Sequence, residues 1–319
     1  MENTQMHTHS KYYQHTLREC ISCIGVGLHS GLPVTMTVMP AEDNSGIIFH
    51  RRDLDPARAE VHARWNMVTD TRMSTTIANS SGTSVSSIEH LMAALYACGI
   101  DNARVILDSP EVPCMDGSSM TFVKLIEQTG VTPQTSLRRA IVITKPVSIC
   151  EGEQRVSLTP NSTPTVEVNI NCEQENIGEQ HYACPINAQA FSRELASART
   201  FFLQEQLHTM NKLGLARGGS LRNAVLFDGG KIQNKEGLRF NNEFARHQAL
   251  DAIGDLSLAG AAIIGSFKGL LSGHKLNNAL LHELMLNDDC WRYTSLQEAE
   301  EKWSEIVEIT NGLHISAQL

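Results

Sequence analysis

The 319-residue chain contains no apolar run approaching the roughly 18 residues that a transmembrane helix needs. Its polar, His-bearing N-terminus lacks the charged flank and apolar stretch of a standard export signal. A basic excess is missing as well. With 26 Lys and Arg against 35 Asp and Glu, the net charge is −9, which argues against a general nucleic-acid binder and its basic stripe. An anionic substrate would have to be met by local Arg or Lys. Paired cysteines are also absent: the eight are scattered through apolar contexts, and the one close pair, Cys20 and Cys23, has no second pair at zinc-ribbon spacing, so both read as strand residues. Scattered cysteines in a chain of this size behave as reduced small hydrophobes, and a cytoplasmic location is expected.

What is present is ordinary globular usage, 41% hydrophobic and 19% charged, which excludes extensive disorder. The length is more than one core needs and suits two domains of about 150 residues each. Residues 1–14 read as an N-terminal extension in which His7 and His9, isolated on a loose tail, carry little weight. Residues 15–130 form a first expected domain, with strands at 34–38, 46–49 and 103–107 and a closing helix near 121–128. A short polar stretch, 131–137, reads as a linker. Residues 138–319 restart with strands at 140–144, 147–149, 156–158 and 166–170, then carry a strand over 261–267 and a helical C-terminal part. Each half thus has strands and an apolar helix bearing a histidine. That predicts an α+β fold of two similar layered domains, a duplicated plan with the active site at their interface.

The most loaded segment is Phe244–Asp255, where His247, Asp251 and Asp255 recur every four residues and share one face of an otherwise apolar helix. The small apolar residues that follow mark the helix as interior. A carboxylate buried there without a partner would be costly to desolvate, so that face needs a cation. His-x3-Asp by itself is most often a surface ion pair. It gains meaning from Ser84–Tyr96, where Glu89 and His90 interrupt a run that reads as a buried helix, with Ser86 or Ser87 placed to cap its start. His90, His247 and Asp251 supply the three protein ligands of a catalytic zinc with a fourth position left for water, and Glu89 would be the base beside that water.

Three other segments carry chemistry. His274 lies in a small polar loop, Leu271–Asn278, as an exposed catalytic histidine would. Ser197–Thr200 precedes the bulky run Phe201, Phe202, Leu203, Leu207, Met210 and Leu213, which is either a helix packing on its neighbour or the lining of a tunnel for a fatty chain. Asp108–Gly117 is a Pro-rich acidic turn and reads as structural.

In order along the chain, Ile24-Gly-Val-Gly-Leu-His-Ser-Gly31, Asp70-Thr-Arg-Met-Ser-Thr-Thr76, Ser87-Ile-Glu-His90, Met115-Asp-Gly117, Ser197-Ala-Arg-Thr-Phe201, Glu236-Gly-Leu-Arg-Phe240, Arg246-His247, Leu250-Asp-Ala-Ile-Gly-Asp255 and Ser272-Gly-His274 closely resemble the UDP-3-O-(3-hydroxyacyl)-N-acetylglucosamine deacetylases, zinc amidases of lipid A synthesis in Gram-negative bacteria. The resemblance runs from about His15 to about Trp291. It implies one Zn2+ per chain held by His90, His247 and Asp251, Glu89 as general base and His274 as second catalytic histidine. It further implies Thr200 as a holder of the carbonyl oxygen and Asp255 as the support of His274. The implied reaction is zinc-dependent hydrolysis of the N-acetyl group of the acylated UDP-amino sugar, giving acetate and the free amine, in a monomer without nucleic-acid partners. An insertion in the second domain would form an acyl passage, matching the region of Phe201 and Leu207. The chain departs from the family where a lysine usually follows the second zinc histidine, here Gln248, and where a cation precedes Ser-Gly-His, here Leu271. Lys268, Lys275 and Arg246 lie nearby as substitutes for that charge. A diverged zinc amidase of the same fold, acting on another N-acylated amino sugar, is the alternative; a non-catalytic paralogue would not need all of Glu89, His90, His247, Asp251 and His274.

Overall fold

The computed structural model describes residues 11–172 and 178–315. Residues 1–10, with His7 and His9, lie outside the described residues. Two five-stranded sheets dominate the chain. In the first, the spatial order is Ile21–Val26, Pro33–Pro40, Ala103–Leu107, Ile47–Arg51 and Glu60–His62, with every pairing antiparallel except the parallel one between Ile47–Arg51 and Ala103–Leu107. The second runs Val147–Glu151, Gln154–Thr159, Ser266–Leu270, Thr165–Cys172 and Gly178–Pro185, again with a single parallel pairing, between Thr165–Cys172 and Ser266–Leu270. Both sheets therefore insert their last strand in sequence between the second and the third. Alternation drives the strands locally: along Pro33–Pro40, Val34, Met36 and Val38 are buried while the residues between them are not.

Helices repeat the plan. α1 (Glu89–Ala97) precedes the last strand of the first sheet and α2 (Met120–Thr129) follows it. After α3 (Gln204–Lys212), which lies beside the small sheet of Phe201–Leu203, Val225–Asp228 and Lys231–Ile232, α4 (Glu243–Leu256) precedes the last strand of the second sheet and α5 (His274–Leu286) follows it. α6 (Leu296–Ile315) closes the chain. This is the α+β, duplicated architecture expected from the sequence. α1 and α4 are the equivalent helices of the two halves, and they pack against each other inside one continuous core that takes Leu91 and Ala94 from α1 and Leu250 and Ile253 from α4. Eight of the nine residues of α1 are buried, as befits a helix apolar nearly all round. The approach of α1 to α4 is so close that a Cβ on Gly254 would lie 2.1 Å from the Glu89 carbonyl oxygen. Only glycine permits it.

Four local expectations are corrected. Residues 131–137, read as a linker, are the strand Val131–Leu137, paired antiparallel with Tyr13–Leu17, so that Tyr13, assigned to the extension, is also in the ribbon. Thr132 and Thr135 suit a strand, and Pro133 is tolerated because a two-stranded ribbon is all edge. The single strand expected over 261–267 breaks at Gly265: Ala262–Ile264 joins Arg139–Ile143 and Trp291–Ser295, while Ser266–Leu270 enters the five-stranded sheet. A Cβ on Gly265 would lie 2.6 Å from Ile143 Cγ1, so the chain changes sheet where no side chain fits. Neither Ser86 nor Ser87 caps α1; their hydroxyls bond the Pro110 carbonyl and the Glu111 carboxylate instead. His274 is not in a loop but is the first residue of α5. Cys20 and Cys23 are free, with Cys23 in the strand Ile21–Val26, and no helix among the described residues is long and apolar enough to cross a membrane.

Candidate active site

The start of α1 and the middle of α4 bring three potential ligand atoms of His90, His247 and Asp251 within 4.8 Å of one another. His90 Nε2 stands 3.4 Å from Asp251 Oδ1, and His247 Nε2 stands 3.4 Å from Asp251 Oδ2. The two imidazoles meet edge to face with centroids 4.9 Å apart. Local sequence explains the placement: His247 and Asp251 are one turn apart on α4, while His90 reaches them because Gly254 lets α1 settle alongside. His247 Nδ1 donates to the Ala198 carbonyl at 3.0 Å, which leaves the Nε2 lone pair directed at the cluster. Asp251 Oδ1 is buried without a hydrogen bond. A buried carboxylate oxygen left bare beside two imidazole nitrogens fits a divalent cation, and mixed N,O donors suit zinc. Burial opposes ionisation of Asp251, but His247 and His90 overcome it and hold the carboxyl below the ordinary range, while burial drives His247 down to about 4. Both are in the forms that bind a metal.

Around this cluster lie Glu89 and His274. Glu89 is 5% exposed, and its Oε2 accepts the Thr75 backbone N–H at 3.0 Å. Burial pushes its carboxyl up, against the pull of His274 and His90. His274 Nδ1 is 2.9 Å from Asp255 Oδ2. Asp255 is itself fixed, accepting from Thr75 Oγ1 at 2.6 Å and from Asn277 Nδ2 at 2.9 Å. Burial alone would lower the His274 imidazole, but the Asp255 carboxylate, with Glu89 and Asp251 beyond it, raises it well above its ordinary value. The result is a pair pushed in useful directions, a carboxylate of enhanced basicity and an imidazole that stays cationic.

Thr200 reaches the cleft from a loop clamped on both sides. Its N–H donates to the Gly117 carbonyl and its own carbonyl accepts from Val225. The preceding Arg199, 1% exposed, donates from Nε to Glu243 Oε1 at 2.8 Å and from Nη1 to Glu236 Oε1 at 2.9 Å. Glu243 opens α4, so this buried pair ties the loop carrying Thr200 and the Ala198 carbonyl to the helix carrying His247. Gly117, at φ +81°, sits where a Cβ would be 2.0 Å from the Asn223 carbonyl oxygen, which is why the Met115-Asp116-Gly117 turn can lie against the backbone at Asn223.

The cleft holds about 200 Å³ and is lined by Glu89, His90, Thr200, His247, Asp251 and His274. Phe201, Leu203 and Gln206 form an adjoining wall, with Phe201 edge-on to Phe244 at 4.6 Å. Gln248 also lines it, its Oε1 buried and unbonded. Leu207 does not reach the cleft; it packs on the small cluster of Phe202 and Met210 behind the wall. Lys268 and Lys275 are not brought in either. They lie on the surface, paired with Glu167 at 2.8 Å and Glu151 at 2.6 Å: Lys268 stands directly opposite Glu167 on the neighbouring strand, and Lys275, in the first turn of α5, meets Glu151 at the end of Val147–Glu151. Asp255 stands just behind the lining, against His274. Several contributors escaped the sequence reading: Thr75, Asn277, the Ala198 carbonyl and the Arg199–Glu243 pair. Thr75, Ala198 and Arg199 stand inside the quoted motifs Asp70–Thr76 and Ser197–Phe201, but nothing local in the sequence assigns them these contacts. The Asp108–Gly117 turn, read as structural, is held by Glu111, which accepts the N–H groups of His29 and Ser30, but its Val112, Pro113 and Cys114 also line the cleft.

Comparison with known proteins agrees with this geometry. The family model described as LpxC, UDP-3-O-acyl N-acetylglycosamine deacetylase, matches residues 14–286. A UDP-3-O-acyl-N-acetylglucosamine deacetylase of Phenylobacterium zucineum is 42% identical over 286 residues, covering 90% of this chain and 98% of that protein. One from Anaeromyxobacter sp. is 44% identical over 283 residues, covering 89% and 92%. One from Histophilus somni is 41% identical over 290 residues, covering 90% and 95%. With the matched region spanning both five-stranded sheets and every residue of the cleft, the chain belongs to the UDP-3-O-acyl-N-acetylglucosamine deacetylase family.

Proposed function

We propose that this chain hydrolyses the acetamide of UDP-3-O-acyl-N-acetylglucosamine to acetate and the free amino sugar, the deacetylation of lipid A synthesis, using one zinc ion held by His90, His247 and Asp251. The observation that carries the reading is the buried Asp251 carboxylate between two imidazoles, its Oδ1 without a hydrogen bond, within a cleft that also holds Glu89 and His274. Bound there, zinc supplies Lewis acidity, acidifying water and polarising a carbonyl. Glu89, its basicity enhanced by burial, accepts the proton of the attacking water. The Thr200 hydroxyl donates to the carbonyl oxygen as it gains charge, an interaction strongest in the transition state. His274, cationic beside Asp255, protonates the departing amine. Phe201 and its neighbours give the acyl chain an apolar wall. Gln248 offers its unbonded amide oxygen to a hydroxyl or N–H of the sugar, and Leu207 supports that wall from behind. Among the described residues the cleft wall has no Lys or Arg, so affinity for the diphosphate rests on residues outside it.

The test is acetate release from the acylated UDP-sugar by zinc-loaded protein, by protein stripped with a chelator, and by stripped protein given zinc again. Activity lost on stripping and regained on reloading is expected. Turnover that survives complete removal of metal, or release of acetate from uncharged acylated glucosamines but not from the nucleotide sugar, would overturn it.

A further inference from the structure

A second cavity opens at the other end of the α1–α4 pair. It holds about 410 Å³, more than the catalytic cleft. Glu89, His90, His247 and Asp251 face the cleft, whereas Met92, Leu95 and Tyr96 of α1 and Leu258, just beyond α4, face this cavity. Its lining includes Arg64 from the first half and Arg138 and Arg139 from the second, against a single carboxylate, Asp101. That carboxylate is engaged, accepting from Arg138 Nε at 2.9 Å and from the His15 backbone N–H at 2.8 Å. Among the described residues, Arg64 and Arg139 have no carboxylate partner. Arg139 lies over the Tyr293 ring, 5.3 Å from its centroid, and Trp65 lines the cavity as well. In a chain of net charge −9, this seam is locally cationic.

We propose that the seam cavity binds a small amphiphilic anion, its carboxylate or phosphate held by Arg64 and Arg139 and its apolar body laid against Ile47, Trp65 and Ala261. Unpaired guanidiniums recognise flat or tetrahedral oxyanions through paired N–H donors. The lining mixes guanidiniums, amides and hydroxyls with apolar side chains in about equal measure, which suits an amphiphile, and the volume falls in the range of small-molecule sites. A carboxylate and a phosphate monoester share this chemistry. Because Arg64 and Arg139 belong to different halves, a bound anion joins them, and it stabilises the folded chain by mass action. None of these residues belongs to the catalytic cleft, so the inference stands apart from the reading of that site.

The experiment follows Tm and tryptophan fluorescence of the full chain during titration with phenylbutyrate, phenyl phosphate and inorganic phosphate at matched ionic strength. At least one of the two organic anions is expected to raise Tm saturably, and which one does so identifies the preferred head group. The Arg64→Ala, Arg139→Ala double variant should weaken binding by about tenfold or more, as loss of two charge-assisted contacts requires, while His274→Ala binds as the unaltered chain does. Both arginines are exposed, and Arg139→Gln alone serves if the double variant loses stability. No saturable binding of either organic anion, affinity unchanged in the arginine variants, or inorganic phosphate binding as tightly as phenyl phosphate would overturn the proposal.

Discussion

Gly254→Ala places one methyl group where the two halves meet, and its consequences can be worked from the structure. The added Cβ would stand 2.1 Å from the Glu89 carbonyl oxygen and 2.8 Å from the Glu89 carbonyl carbon, both backbone atoms that cannot rotate away. Ordinary contact begins near 3.4 Å, so α1 and α4 must separate by about 1.3 Å at that point (3.4 minus 2.1). Alanine's better helix propensity returns at most about 1 kcal/mol, whereas overpacking a tight core costs about 1–3 kcal/mol. A modest net loss of stability is expected. The functional loss should be larger. Glu89 and His90 ride on α1 while His247, Asp251 and Asp255 ride on α4, so the same separation pulls the proposed metal ligands apart and moves Glu89 away from the Asp255 that holds His274. Misplacement of about 1 Å at a reacting centre costs on the order of 10²-fold. The assay is kcat/KM for acetate release together with zinc content and Tm of the purified variant. A Gly254→Ala protein with unaltered kcat/KM, full zinc and equal or higher Tm would refute the argument, since it would mean that the helices do not depend on this contact to hold the site.

Other expectations follow from the same geometry. Asp255→Asn preserves the shape and can still accept from His274 and Asn277, but removes the charge, worth roughly 4 kcal/mol at an effective dielectric of about 20 and a separation of about 4 Å. His274 works only when protonated, so the basic limb of the kcat/KM–pH profile should move to lower pH, and a limb that stays in place would remove Asp255 from that role. Glu89 works only when ionised, and its raised carboxyl puts the acid limb above the ordinary carboxylate range; activity falls as pH drops through it, and Glu89→Gln should abolish that limb with a loss of about 10²–10⁴-fold. His247→Ala and Asp251→Ala should each lower bound zinc measured by elemental analysis, and full zinc occupancy in both would redirect the metal elsewhere. Arg199→Met strands the Glu243 carboxylate, 0% exposed, and should destabilise the chain by about 3–5 kcal/mol in denaturant unfolding; near-normal stability would show the pair to be dispensable.

Much of the fold was legible because alternation and length speak locally. Ala103–Leu107 was bounded in full and the closing helix of the first half to within a residue of each end, both being segments with a clear period. The errors fell where a neighbour decides. Gly265 divides one apolar run between two sheets because of Ile143, some 120 residues away, and the polar 131–137 becomes a strand because Tyr13–Leu17 offers it hydrogen bonds. His274 looked like an exposed loop residue because Ser, Gly and Lys surround it, yet α5 begins there and turns it inward onto Asp255.

The sequence by itself determined the chemistry of the site. An i, i+4 spacing puts His247 and Asp251 on one helix face whatever the surroundings, and an apolar context for Glu89 and His90 makes their charge costly without partners. It also determined the duplicated strand-and-helix plan, since each half repeats its own pattern of periods. Only the tertiary structure decided that the two lone helices meet, that Gly254 lets them meet closely enough for one cation, and that Lys268 and Lys275 face acidic neighbours at the surface rather than the cleft. The reason is one of range: periodicity fixes which face a residue occupies within its element, but which elements come together depends on packing between residues more than 100 positions apart in the chain.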